Sequence, residues 1–376
     1  MNFFVADPEW GWWIILYFFL GGIAAGAYFV ATLIDLTGNE KYHALARTGY
    51  LIAFPLICLC GLFLTVDLER PERFWHMLLK SEVFYQARAE GWPSTAAAWK
   101  TFAHAFLFKY WSPMSIGALA LSIFGACSFL SLVGSLRRGG RLERIFRVSL
   151  FGRVLQVVGC IVGFFIAAYT GVLLEATNQP LWSDSPWISS LFLASAASTG
   201  IATMILLVHN RAGVSDEAVA RLEFADVWAL ILELIFFAVF LAALGPLLRP
   251  VLFTVHGKIL VIGTAVLGIV LPLLLHTPLG RVVRGRAITA ALFALVGGFC
   301  LRYGILTTSP ELLSKAPEIQ QRFASEIKQA RASRPEPPLI AGFSPEDGRR
   351  PGGGVGADPG NKPPKVVPRS KVFHAP

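Results

Sequence analysis

The sequence predicts an all-α polytopic membrane protein: eight transmembrane helices in two four-helix halves, followed by a disordered C-terminal tail. Three observations carry this. Only 15% of the 376 residues are charged, whereas soluble domains carry roughly 25%. The missing charge is concentrated in runs about as long as the roughly 20 apolar residues needed to cross a bilayer. The first and fifth of these runs also resemble each other.

The first run, 11–34, follows a segment with Asp7 and Glu9 but no basic residue, so it reads as a span and not as a signal peptide. Its Gly22-x-x-x-Gly26 spacing lets another helix approach closely. The second run, 48–66, ends where five charged residues fall between Asp67 and Arg73. Pro71 cannot continue a helical ladder and disfavours helical geometry at Arg70. The pairings Asp67/Arg70 and Glu69/Arg73 then predict a fixed, mutually neutralised cluster at the membrane boundary.

Further uncharged runs are 111–136, 154–174, 185–208, 259–275 and 287–301, and Glu233 alone interrupts 227–248. The last is the shortest; a snorkelling Arg302 would extend it through Ile305. Offset by 174 residues, spans one and five align Trp13 with Trp187, Phe18 with Phe192 and Gly26 with Gly200. Parallel four-helix halves follow from that repeat. The membrane domain is thus 1–306. In 307–376, which holds twelve of the 23 prolines, only 317–332 reads as a short amphipathic helix.

Loop charge gives orientation. Loops after odd-numbered spans hold Lys41 and Arg47; Arg137, Arg138, Arg141, Arg144 and Arg147; Arg211 and Arg221; and Arg281, Arg284 and Arg286. These belong inside, with both termini outside, so Asp67 and Glu175 face outward and Asp35 and Asp226 inward. The net charge of +9 serves orientation and lipid contact; no basic stripe with interleaved aromatics suggests nucleic acid.

Several chemistries are disfavoured. None of the seven histidines lies mid-span, so paired transmembrane haem ligation is not expected. The five cysteines all sit in apolar runs, and Cys58-x-Cys60 points to two helix faces, so neither an iron–sulfur cluster nor a metal site is expected. No nucleotide-binding fingerprint is present.

Glu233, the sole carboxylate well inside a run, reads equally as a proton-relay group or as an acid paired with a polar neighbour. The stretch 169–182 brings Tyr169, Glu175, Asn178, Gln179 and Trp182 to the end of span four, a set able to hydrogen-bond a quinone carbonyl between apolar walls. Its bland alternative is an aromatic belt with a helix cap. Tyr169 and Glu175 lie 240° apart on a helix, so they cannot both enter one pocket unless it unwinds. His256 and Lys258 come to the same outer face.

Four motifs now stand in order on their spans: Asp67-Leu68-Glu69-Arg70-Pro71-Glu72-Arg73-Phe74, Ser112-Pro113-Met114-Ser115-x-Gly117, Tyr169-Thr170-Gly171-x-Leu173-Leu174 and Pro180-Leu181-Trp182. With Gly21-Gly22 and Gly26, they resemble the NrfD-like family of polysulfide-reductase membrane subunits over about residues 8–306. The resemblance implies a haem-free, quinone-binding anchor (menaquinone or ubiquinone) in a bacterial inner membrane. It also implies an iron–sulfur electron-transfer subunit as partner, with a molybdopterin catalytic subunit or a multihaem cytochrome, as in anaerobic respiration. Such a chain is one subunit of an oxidoreductase, not a complete enzyme. Relatives can present an amide or histidine near the start of span one; this chain has Ile14 and Tyr17 there, so that contact falls to Tyr17 or is lost.

The reading that follows has Tyr17, Tyr169, Asn178 and Glu175 around the quinone, and Asp67 or His256 exchanging its proton. Glu233 carries the proton onward, and Glu69, Arg70 and Arg73 dock the partner. Its rivals are a structural anchor without a quinone site and a proton or solute pathway through Glu233.

Overall fold

The computed structural model describes residues 10–38, 42–68, 70–78, 80–105, 112–136, 139–177, 179–209, 214–283 and 285–333. Glu69, Asn178, His374 and the tail from 334 lie outside the described residues, and so do the expectations placed on them. The chain divides into two compact units, 1–331 and 332–376, and the fold described is that of the first.

Among the described residues, eight helices are long and apolar enough to cross a membrane: Trp12–Leu36, His43–Asp67, Pro113–Leu136, Leu150–Glu175, Ile188–Val208, Glu217–Phe253, Val255–His276 and Arg286–Ser314, called spans one to eight. Their outward faces carry side chains such as Phe151, Ile161, Ile235, Ile262 and Leu292, as a lipid-facing surface requires. The protein is a multi-pass membrane protein. Serine or threonine begins three of the spans: Ser149, Ser215 and Thr254 each accept the backbone N–H three residues on. Span six breaks at Gly245, whose φ of 50° is left-handed, before resuming over Leu248–Phe253. Span seven winds in wide, π-helical turns from Ile259 to Val270 and regains α geometry just before Pro272.

Spans one to four form one bundle, in which span one packs on two and four and span three closes the ring. Spans five to eight repeat the arrangement, and spans one and five join the bundles. There two of the three pairs aligned by the 174-residue repeat meet. Phe18 and Phe192 touch edge to face at 6.2 Å. Gly26 and Gly200 let the two backbones come so close that a Cβ on Gly26 would collide with the Ala196 carbonyl. Residues on a pseudo-symmetry axis must meet their own counterparts, so these contacts place the axis between spans one and five.

Span eight departs from expectation. It runs 29 residues, through Pro310 to Ser314, instead of ending near Ile305. Arg302 does not snorkel. It is 1% exposed, because spans one and five supply acceptors that satisfy its guanidinium inside the protein. A second helix, Ala316–Ala332, follows.

Between spans two and three the chain forms a 3-10 turn, Pro71–Met77, and two short helices, Ser81–Ala89 and Ala96–Ala105. Trp75, Phe84, Trp92 and Phe102 pack together there.

Candidate functional site

At the Asp67 end of the first bundle, Tyr169 is buried against span three, where Gly117 leaves room for its ring. Its hydroxyl donates to the Pro113 carbonyl at 2.5 Å. Tyr17 of span one is buried, and its hydroxyl has no hydrogen-bond partner among the described residues. Cys60 of span two reaches the Tyr17 carbonyl at 3.7 Å. Asp67 is seven residues further along span two, on nearly the same face and about 10.5 Å toward the helix end. Tyr17 and Tyr169 thus share the Asp67 end of the first bundle.

Other expectations at this end are corrected. Asp67 and Arg70 form no ion pair: the helix stops at Asp67, Leu68 turns extended, and Arg70 is exposed. Arg73 is exposed as well. Glu175 accepts hydrogen bonds from the Ser189 hydroxyl at 2.9 Å and from its N–H, tying spans four and five, and so turns away from Tyr169 as the helical wheel requires. Trp182 is a clamp: fully buried, it stacks on Trp10 at 5.2 Å and donates to the Ile305 carbonyl at 2.7 Å. Leu181 beside it has φ 72° and is held by its N–H bond to Asp184.

His256 does not join this group. It lies in the second bundle, where its Nδ1 is 2.8 Å from Glu311 Oε2 and its ring is 5.6 Å from that of Tyr303.

A second polar group fills the junction of the bundles. Glu233, 2% exposed, accepts from the Ser198 hydroxyl at 2.5 Å, and that hydroxyl also lies 3.1 Å from the Ser195 carbonyl. Ser195 accepts in turn from Arg302 Nη1 at 2.9 Å, while Arg302 donates to the carbonyls of Gly298 and Phe18. An acid and a base from spans six and eight are therefore bridged by the serines of span five. Sequence reasoning missed Arg302 as part of a network. The signal for it was a second ionisable residue within an apolar span, opposite the Ser195-Ala196-Ala197-Ser198-Thr199 stretch of span five.

Toward the opposite end, Asp226 is fully buried and pairs with His276 at 3.2 Å, leaving its Oδ1 without a partner among the described residues. It is not the interfacial group that its place in the sequence suggested. Asp226 precedes Glu233 by two helical turns on one face, and Glu223, one turn earlier, bonds Arg286. In the first bundle Asp35 accepts from Arg147 at 2.8 Å and from Gln156 at 2.9 Å, beside a cleft of about 280 Å³. Burial works against the Arg147 charge, but Asp35 and Glu143 outweigh it and push its pKa up.

Comparison with known proteins adds four findings. The family model described as "Polysulphide reductase, NrfD" matches residues 5–312. One chain of the polysulfide reductase of Wolinella succinogenes is 28% identical over 324 residues, 79% of this chain and 93% of that protein. Protein NrfD of Escherichia coli is 28% identical over 325 residues, with the same coverage. A shorter segment of 79 residues is 29% identical to a selenate reductase subunit of Mesobacillus selenatarsenatis, covering 21% of this chain and 18% of that one.

Proposed function

The chain belongs to the NrfD polysulphide reductase family, and from that membership and the geometry above we propose that it is the quinone-reactive membrane subunit of an oxidoreductase complex. It sits in a bacterial inner membrane with both termini outside. An iron–sulfur subunit, serving a molybdopterin enzyme or a multihaem cytochrome, exchanges electrons with quinone at its outer face. The observation that carries the reading is the pair Tyr17 and Tyr169, buried at the Asp67 end of the first bundle in a chain that matches the family almost end to end.

Oxidation of a quinol releases two electrons and two protons; reduction takes up the same. The electrons pass to or from the iron–sulfur partner. Tyr17 has a free phenolic O–H to offer a quinone carbonyl, and Tyr169 walls the pocket. Asp67, half-buried and without a fixed counter-ion among the described residues, exchanges the proton. The aligned acids Glu223, Asp226 and Glu233 favour a proton route along span six in addition.

The test is titration of a fluorescent quinol analogue onto the chain in nanodiscs. Saturable binding, weakened at least tenfold by Tyr169→Ala, is expected. A folded wild-type chain that binds none, with or without the partner subunit, would make the protein a structural anchor. Asp67→Asn should impair quinol turnover and leave assembly intact; normal turnover removes Asp67 from the mechanism. Glu233→Gln should slow proton uptake in liposomes, and unchanged uptake removes the span-six route.

A further inference from the structure

We propose that the second bundle carries its own site for a quinone-type ring, built on Tyr303, His256 and Trp12. The proposal rests on the reading of the first bundle as quinone-reactive and extends it by the internal repeat. Span four contains Val162-Gly163-x-Phe165-x-x-x-Tyr169, and span eight contains Val296-Gly297-x-Phe299-x-x-x-Tyr303. The offset here is 134 residues, less than the 174 between spans one and five, because the second bundle lacks a counterpart to the long connection between spans two and three.

The two copies fold alike. In each, the phenylalanine stacks on the tyrosine one turn later: Phe165 on Tyr169 at 5.5 Å and 26°, Phe299 on Tyr303 at 6.0 Å and 19°. In each, the glycine seats the third span of its own bundle: Gly163 against Phe124, and Gly297 against Gly268. Each tyrosine lies beside the start of that third span, Pro113 in one case and His256 in the other. Tyr303 therefore occupies the place in the second bundle that Tyr169 occupies in the first.

Their hydroxyls differ in a way that favours a ligand at the second position. That of Tyr169 is spent on Pro113. That of Tyr303 has no partner among the described residues. Beside it, His256 is anchored through Nδ1 to Glu311, which also accepts the N–H groups of Val255 and His256 at 3.0 Å and pairs with Lys315 at 2.8 Å. With Nδ1 held, Nε2 of His256 is the second group there without a partner among the described residues. It accepts from a quinol hydroxyl when neutral and donates to a quinone carbonyl when protonated. Trp12 stacks on Tyr303 at 5.5 Å and supplies a flat wall. Trp12 and Val255, 59% and 58% exposed, open this corner to the lipid, the side from which an isoprenoid quinone arrives.

A photoreactive azido-quinone with an isoprenoid chain, applied to the full chain in nanodiscs, tests this. Two equivalents bound per chain are expected, with adducts mapping by mass spectrometry to 252–260 and 299–311 as well as to the surroundings of Tyr169. Tyr303→Phe combined with His256→Gln should remove one equivalent and the second-bundle adducts, while Tyr169→Ala removes the other. A His256→Gln single variant serves if the double variant does not fold. One equivalent, with adducts only in the first bundle, overturns the second site and leaves the proposed function standing. Adducts only in the second bundle support this site and overturn the assignment to Tyr169. No saturable binding overturns both.

Discussion

At the level of single residues, the Glu233–Arg302 network decides most. A guanidinium taken out of water costs several kcal/mol unless its charge and all its donors are satisfied. Here Phe18, Gly298 and Ser195 take the donors, and Glu233 supplies the counter-charge through span five. Arg302→Met should therefore destabilise the protein by about 3–5 kcal/mol, because it leaves Glu233 as an uncompensated buried acid. Thermal unfolding in detergent should show the loss, and Arg302→Met with Glu233→Leu should recover much of it. Additive losses in the double variant would mean that the two side chains are not coupled. Half of this network was legible in the sequence. Glu233 stands out as the one carboxylate inside an apolar run, but Arg302 lies near a predicted helix end, where snorkelling is the default. Only the packing of spans one and five against span eight turns it inward. Asp226 and His276 are 50 residues apart and carry no local signal of each other.

The helices themselves follow from hydrophobic run length, which is why all eight were legible in the sequence. Their ends were harder to place. Span eight was expected to end near Ile305, yet it continues past Pro310 to Ser314, and Glu311 in its last turn accepts N–H groups at the start of span seven. The expected ion pair of Asp67 with Arg70 failed for the converse reason. Charges adjacent in sequence do not meet once the helix stops and the backbone turns extended between them. The contact between spans one and five rests on glycine at 26 and 200. Gly26→Leu would force the backbones apart, an overpacking cost of about 1–3 kcal/mol that should appear as a lower unfolding temperature or loss of monodisperse protein. Gly61→Ala is the matched control. Nothing lies within 4 Å of a Cβ there, so it should be neutral or stabilise by up to about 1 kcal/mol. Equal behaviour of the two variants would show that the close approach does not hold the bundles together.

For the whole molecule, the two bundles give every span a fixed direction, so one end of the protein carries Asp67, Pro113, Glu175 and His256 and the other carries Asp35, Arg147, Asp226 and His276. Which end faces outward is a matter of charge in the short connections. Arginines at 141, 144 and 147 between spans three and four belong on the inner side, whereas the turn between spans four and five around Ser183 has no basic residue. Gly139 and Ser183 are both exposed and lie at opposite ends. Ser183→Cys should react with a membrane-impermeant maleimide in intact cells, and Gly139→Cys only after permeabilisation. The five native cysteines lie within the spans, so the unsubstituted chain gives the background. The opposite labelling pattern would turn the tyrosines of both bundles toward the cytoplasm. Any iron–sulfur partner would then have to dock from inside, and a quinol oxidised there would release its protons into the cytoplasm. The direction of insertion is thus the property on which both the docking side and the sense of proton movement depend.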